Sequence, residues 1–274
     1  MSLPQVSIRI PAYNHERYIT ACLDSVLNDS YPNKELIIID DGSTDGTAEV
    51  IRQWLEHNKP SFPVMFKARE NRGLTKTINE LVRACSGKYL VSLASDDFLL
   101  DGGIHTRVEY LEQHHNKWAV FADCIVVDED NKLIYKSGLT ELYSATLSKF
   151  LQEDDLLHEI INNWSVPGPV LMVRKDLYEH IGYYNEKFAI EDWDIYIRMA
   201  SKKLLGFINY PVSAYRLHQH NTCRRKENFN WNHKQRLKIA LCHLPGIPFK
   251  YKASMLRQIF ISFYLSYIKR SLIE

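Results

Sequence analysis

Three short runs of acids stand out in this chain: Asp40-Asp41 in "IIIDDGSTDGT", Asp96-Asp97 in "LASDD", and Glu191, Asp192 and Asp194 in "EDWD". Neighbouring carboxylates repel at close range, so each run needs a cation, hydrogen-bond donors or a structural use. The structural uses are ordinary, because Asp-Gly and Asp-Asp before a loop form turns and cap helices. The chemical uses are more specific. Asp40 or Asp41 can accept an N–H from a heterocycle. Asp96 and Asp97 can divide between a sugar hydroxyl and a hard divalent cation, since Mg2+ and Mn2+ prefer oxygen ligands. In "PAYN", Pro11 stiffens the chain and Tyr13 offers a flat face on which a base can stack, or else simply covers the sheet edge.

These runs can act together only if the fold brings them to one rim, and the hydropathy pattern does so. Val6, Ile8 and Ile10 alternate as in a strand, "ELIIID" is a continuous apolar run, and "VMFKA" and "KYLVSLA" follow. Between them lie helical spacings: Tyr18/Ile19, Cys22/Leu23 and Val26/Leu27, then Val50/Ile51 and Trp54/Leu55, then Ile78, Leu81/Val82 and Cys85. Ser43 or Thr44 is available as an N-cap for the second of these helices. Alternating strands and helices predict a parallel sheet with right-handed crossovers, flanked by helices. In such a sheet, ligands bind beyond the carboxyl ends of the strands. Strand one ends at "PAYN", strand two at "DDGS" and strand four at "SDD", so the three motifs converge.

Beyond Asp97 the rhythm changes. The pattern predicts a helix near 104–115, strands at "WAVFADCIVV" and "KLIYKSG", and a helix near 145–161. A Gly/Pro break at "SVPGPV", a strand "LMVRK", helices near 176–181 and 192–203, and a strand at "GFINYP" lead to "YRLHQHNT". From about residue 226 the chain reads as mainly helical, with a break at "LPGIP".

A chain of 274 residues with 45% hydrophobic and 24% charged residues has the composition of a globular protein. No apolar run approaches the ~20 residues of a membrane helix. "MSLPQVSIRI" lacks a basic segment followed by an apolar one, so no signal peptide is expected. The five cysteines are scattered, which argues against a disulfide framework or zinc site and for a reducing cytoplasmic location. Charge is asymmetric: from Arg224 to Glu274 there are 11 Lys/Arg against 2 acids. No nucleic-acid partner is expected.

The segments "IPAYNHERYITACLDSVLNDSYPNKELIIIDDGSTDGT", "NRGLTKTIN", "LVSLASDD", "EDWDIYIR" and "YRLHQHN" together resemble, in order, the family 2 (GT-A fold) inverting glycosyltransferases. The resemblance covers roughly residues 4–222, and the ordered set is very specific. One departure is Ala94, where the family pattern "LDSDD" has its first acid. The resemblance implies an α/β GT-A fold with a Rossmann-like, mainly parallel sheet. Its catalytic domain would span 1–225, with a nucleotide-sugar-binding half at 1–98 and an acceptor and catalytic half at 99–225. A basic helical extension would follow at 226–274.

It also implies roles. Pro11 and Tyr13 match the segment bordering the base, and Asp41 the acceptor for a uracil N–H, with Asp40 organising the loop. Asn71 and Gly73 match a loop beside the nucleotide, and Lys76 a diphosphate contact. Asp96 matches the ribose contact, Asp97 a ligand to Mn2+ or Mg2+, and His218 a second metal or diphosphate contact, with His220 its rival. Asp192 matches the general base, with Glu191 and Asp194 competing for that role. Glu191 and Trp193 are expected to contact substrate, although core packing is an equal use for Trp193, and Gly168 is expected to border the sugar. In a helix beginning near 192, Asp194 points about 200° away from Asp192, so the two cannot share the cleft.

The implied reaction is direct displacement from a nucleotide-sugar, most simply a UDP-sugar, to a saccharide or lipid-linked acceptor in cell-surface polysaccharide, lipopolysaccharide or capsule synthesis. A nucleotidyltransferase would instead need a Gly-rich basic loop after strand one, which "PAYNHERY" is not. A non-catalytic sugar-nucleotide-binding module would be expected to lack the metal acid or the base. In the tail, Leu237, Ala240, Leu241 and Leu244 form an apolar face opposite basic residues. That pattern suits peripheral contact with the cytoplasmic face of a membrane, packing on the domain, or a homodimer.

Overall fold

The computed structural model describes residues 3–219, 221 and 229–268. Four strands build the first half: Val6–Ala12 (β1), Lys34–Asp40 (β2), Val64–Ala68 (β3) and Tyr89–Ser92 (β4). They are joined by helices Ile19–Asn28 (α1), Thr47–Asn58 (α2) and Leu74–Ala84 (α3). All three pairings among these strands are parallel, in the order β3-β2-β1-β4. Strand β2 is buried along its whole length. Its alternation sends Leu36 and Ile38 into one core and Ile37 and Ile39 into the other, which is why its sequence is continuously apolar.

The second half adds Phe98–Leu99 (β5), Gly103–Gln113 (α4), Ala119–Val127 (β6), Leu133–Tyr135 (β7), Leu147–Leu151 (α5), Glu153–Asn162 (α6) and Met172–Arg174 (β8). It continues with Leu177–Ile181 (α7), Glu191–Ser201 (α8) and Leu205–Arg216 (β9). The sheet runs on through β8, β6, β9 and β5, with β7 paired to β6. β6 and β9 are parallel, whereas β8, β7 and β5 are inserted antiparallel. The fold is the expected mixed α/β sheet with helices on both faces.

Four details differ from the sequence reading. The helix expected at 145–161 is two helices, because Gln152 takes an extended conformation between α5 and α6. β9 runs on to Arg216, because its pairing with β6 resumes after a register shift near Pro211. β5, only two residues long, gave no periodic signal. The first free amide of α2 is met by Asp45, whose carboxylate accepts from Thr47 N–H at 3.0 Å, because the Ser43 hydroxyl is already bound to Asp40.

The tail comprises Phe229–His243 (α9) and Lys252–Phe263 (α10), which pack on each other, with α10 also packing on α6. The apolar face expected from the sequence is buried only in part: Ala240 lies in the core and Leu244 packs against it. α9 turns Gln235, Ile239 and Ala240 inward and leaves Leu241 52% exposed. Polar contacts also hold the helix: the His243 ring bonds Asp194 at 2.8 Å, and Arg236 lies over the Trp193 ring. His220, Lys269 and Arg270 lie outside the described residues.

Candidate active site

The first wall of the site comes from β1 and β2. Asp40 accepts from Ser43 N–H at 3.0 Å and from the Ser43 hydroxyl at 2.5 Å, closing the turn after β2. Asp41 points to the next loop, accepting from Arg72 N–H at 2.8 Å and Gly73 N–H at 2.9 Å, and pairing with the Arg69 guanidinium. Between them, Gly42 has φ +74°, and a Cβ there would stand 2.5 Å from Asn71 N. Only glycine permits that approach. The "DDG" motif therefore docks the Asn71–Gly73 loop against the end of β2.

The second wall comes from β4 and the end of β9. Asp96 lies 2.9 Å from His218 Nε2 and 3.7 Å from His15 Nε2. The ligand atoms of these three residues all lie within 4.8 Å of one another. His15 is further oriented by a 2.8 Å contact between Nδ1 and the Ser95 hydroxyl. The "YRLHQHN" spacing acts through a closed loop: Asn221 Oδ1 accepts from His218 N–H at 2.7 Å, and its amide donates to Arg216 O at 3.1 Å. Asp97 is buried behind Asp96 and accepts from Arg216 N–H at 2.8 Å. The cluster of candidate cation ligands thus centres on Asp96, with His15 as a member that the sequence reading did not single out.

Burial works against charge on Asp96, yet the hydrogen bond from His218 and the nearby His15 hold its carboxyl below its ordinary value. Burial, and next the Asp96 charge, push Asp97 well above its own. Two imidazole nitrogens and a carboxylate converging on one point are a donor set that fits a divalent transition cation.

The third wall is the start of α8. Asp192 Oδ1 accepts from Trp193 N–H at 2.7 Å. No described residue beyond Trp193 and Asp192's own amide donates to its carboxylate. Glu191 makes no hydrogen bond to another described residue. Burial and the neighbouring Asp192 push Glu191 up to about 8. Burial also raises Asp192, countered by Trp193 N–H and by the positive charge of Arg236. Glu191 is thus mainly protonated at neutral pH, and Asp192, drawn back toward ionisation by Trp193 N–H and Arg236, is the better suited of the two to act as a base. Asp194 faces away and is bound to Arg198 and His243. Trp193 is 1% exposed, and its Nε1–H donates to Ile160 O at 2.8 Å. It packs in the core behind the base.

Three cavities share walls along this rim. The largest, about 640 Å³, is bordered by Pro11, Tyr13, His15, Gly73, Lys76, Asp96, Asp97 and Gly168, with Arg72 and Lys187 adding positive charge. Tyr13 is 46% exposed at its edge. A second cavity of about 220 Å³ continues from Pro11, Ala94 and Gly168 down to Asp192 and Glu191. A third, about 590 Å³, opens on the far side of Asp192 between Tyr143, Trp164, Trp231 and Arg236. Tyr13, Lys76 and Gly168 are thus brought together with Asp96, Asp97 and Asp192. Asp41 and Asn71 stand behind the loop they support. Arg72 sits inside the "NRG" motif, so its position pointed to it. Trp231 and Arg236 come from α9, and no spacing in the sequence connects them to the cleft.

A family model described as "Glycosyl transferase family 2" matches residues 7–182. The chain is 28% identical over 256 residues to chondroitin synthase of Escherichia coli, covering 93% of this chain and 35% of that protein. It therefore spans about a third of that relative's length. Among solved structures it is similar to residues 1–349 of S. aureus TarS in complex with UDP-GlcNAc, with a TM-score of 0.70, 17% identity, and coverage of 95% of this chain and 72% of that one. It is also similar to the mannosyltransferase PcManGT from Pyrobaculum calidifontis in complex with GDP-Man and Mn2+, with a TM-score of 0.68, 16% identity, and coverage of 97% and 72%. At these identities the likeness establishes the fold, which is the GT-A fold.

Proposed function

The chain belongs to glycosyl transferase family 2, and from that premise we propose that it transfers a hexosyl or N-acetylhexosaminyl group from a UDP-sugar to a saccharide acceptor, with inversion, in polysaccharide synthesis. The observation that carries this reading is one continuous cleft, running from the Asp96, His15 and His218 cluster to Asp192 and on to an aromatic groove. A nucleoside diphosphate suits the first part, where Tyr13 can stack on the base and Arg72, Lys76 and Lys187 face the phosphates. Asp41 does not itself line this cavity; it holds the Arg72–Gly73 backbone that does. Trp164, Trp231 and Tyr143 offer the flat apolar faces against which a saccharide acceptor packs.

In this reaction the acceptor hydroxyl gives its proton to Asp192 while its oxygen bonds to the anomeric carbon. The bond from that carbon to the diphosphate oxygen breaks, and UDP leaves on the opposite face. No covalent intermediate forms, so one base suffices. A cation held by His15, Asp96 and His218 would neutralise charge on the leaving diphosphate. Two imidazoles beside a carboxylate favour Mn2+ over Mg2+ in that role. Pulled back toward ionisation by Trp193 N–H and Arg236, Asp192 keeps one oxygen for the acceptor.

Asp192→Asn tests the assignment. Transfer is expected to fall by about 10²–10⁴-fold, the range for losing a general base, while UDP-sugar binding persists. Near-normal turnover would remove Asp192 from the role. For the tail we propose peripheral contact with an anionic membrane surface, which the outward-facing Phe249, Phe260, Phe263 and Tyr267 support.

A further inference from the structure

The second cavity has a floor that the reaction above leaves unused. Arg9 and Pro11 lie two residues apart on β1 and so share a face of the sheet. Pro11 borders the mouth of the cavity and Arg9 its floor. The Arg9 guanidinium is almost wholly buried and makes no salt bridge among the described residues, although its charge acts on Glu191. It donates to the Ser92 hydroxyl at 2.6 Å and to the Tyr184 hydroxyl at 2.8 Å, and its Nε has no hydrogen-bond partner among the described residues. Ser92 and Tyr184, having accepted from Arg9, each keep a proton to give. Glu191 also lines the space, with no hydrogen bond from another described residue, and Ile78 and Leu171 are apolar wall. One small space thus combines donors, an acceptor and a greasy surface.

Its position decides which ligand meets it. The cavity joins the nucleotide cleft at Pro11, Ala94 and Gly168 and reaches Asp192. The transferred sugar must lie between the diphosphate and the base, so this space faces that sugar and not the acceptor. A plain hydroxymethyl or hydroxyl group would leave Ile78 and Leu171 uncovered. A sugar carboxylate would suit Arg9 but, having neither an N–H nor a methyl, would leave the Glu191 acceptor oxygen and the apolar wall unused. An acetamido group answers all three features: its carbonyl accepts from the Arg9, Ser92 and Tyr184 donors, its N–H is accepted by Glu191, and its methyl fills the apolar wall.

Resting on the UDP-sugar reading, we propose that this cavity holds the acetamido group of the transferred sugar, and that the donor is a nucleoside-diphosphate N-acetylhexosamine. Binding to the full chain with Mn2+ is compared by calorimetry for UDP alone and for two matched pairs: UDP-glucose against UDP-N-acetylglucosamine, and UDP-galactose against UDP-N-acetylgalactosamine. In at least one pair the N-acetyl member is expected to bind about tenfold or more tightly. UDP-glucosamine, which lacks the acyl group, should lose that gain. Glu191→Gln, which keeps a carbonyl acceptor, should retain the preference, whereas Glu191→Ala should reduce it severalfold, with UDP affinity the same in both. Equal binding within both pairs, with UDP still bound, overturns the acetamido pocket alone. Absence of UDP binding overturns the reading beneath it as well.

Discussion

Glu191 and Asp192 are adjacent acids with opposite assignments, and the difference between them can be measured. Burial and the Asp192 charge raise Glu191 to about 8, far above its value in an unfolded chain. From about pH 4 upward the unfolded chain therefore releases this proton while the folded one retains it. Stability contributed by this group falls as pH rises toward 8 and then levels off. Glu191→Gln removes that penalty, so its melting temperature should exceed that of the parent at pH 7–8 and match it near pH 4. With solvent screening reducing the term to about 1 kcal/mol, the gain is about 2–4 °C. A variant that gains nothing at pH 8, measured by thermal melts across pH, would contradict a protonated Glu191.

At the scale of elements, α9 matters most, because it lends the cleft residues that lie far along the chain. It carries Trp231 and Arg236 into the wall around Asp192, and His243 onto Asp194 at the root of the same helix α8. Arg236 favours the ionised form of Asp192. Arg236→Ala should therefore raise the Asp192 pKa and move the acid limb of the rate profile to higher pH. A several-fold loss of rate near pH 6 should shrink toward pH 8. An unshifted limb would assign Arg236 to packing only. By contrast, the turn after β2 works locally, with Asp40 holding Ser43 and Asp41 holding the loop that leads into α3.

For the molecule as a whole, ligand binding should read out as stability. UDP with Mn2+ at about 100 times the dissociation constant adds about 2.7 kcal/mol, which is about 5–10 °C in a domain of this size. His218→Ala should abolish the part that depends on Mn2+ and spare the part due to UDP. The outer surface of the tail makes a second global prediction. α10 turns Ser254, Met255, Gln258 and Ser262 toward the body and leaves Phe260 and Phe263 outside, with Phe249 just before the helix 87% exposed. Anionic vesicles should co-sediment the parent chain and retain much less of a Phe249→Ser, Phe260→Ser variant. Equal sedimentation would leave those aromatics to a contact between proteins. No helix among the described residues is long and apolar enough to cross a membrane.

Local pattern alone determined much of this protein. Alternation in β1, the continuous apolar run of β2 and the period-3.6 spacings between strands identified β1 to β4 and their helices, and the rule for ligands at the carboxyl ends of parallel strands placed Tyr13, Asp96 and Asp97 on one rim. Those signals are legible because they depend on neighbours a few residues away. What the sequence could not show is which polar residues are buried and which distant elements meet. Ser7 and Arg9 read as the outer face of an alternating strand, but helices cover that face and place Arg9 beneath the cleft. His15 joins Asp96 only because β1 and β4 lie side by side. Arg236 reaches Asp192 only because the tail folds back on α8. Such contacts are fixed by long-range packing, which leaves no periodic trace in the chain.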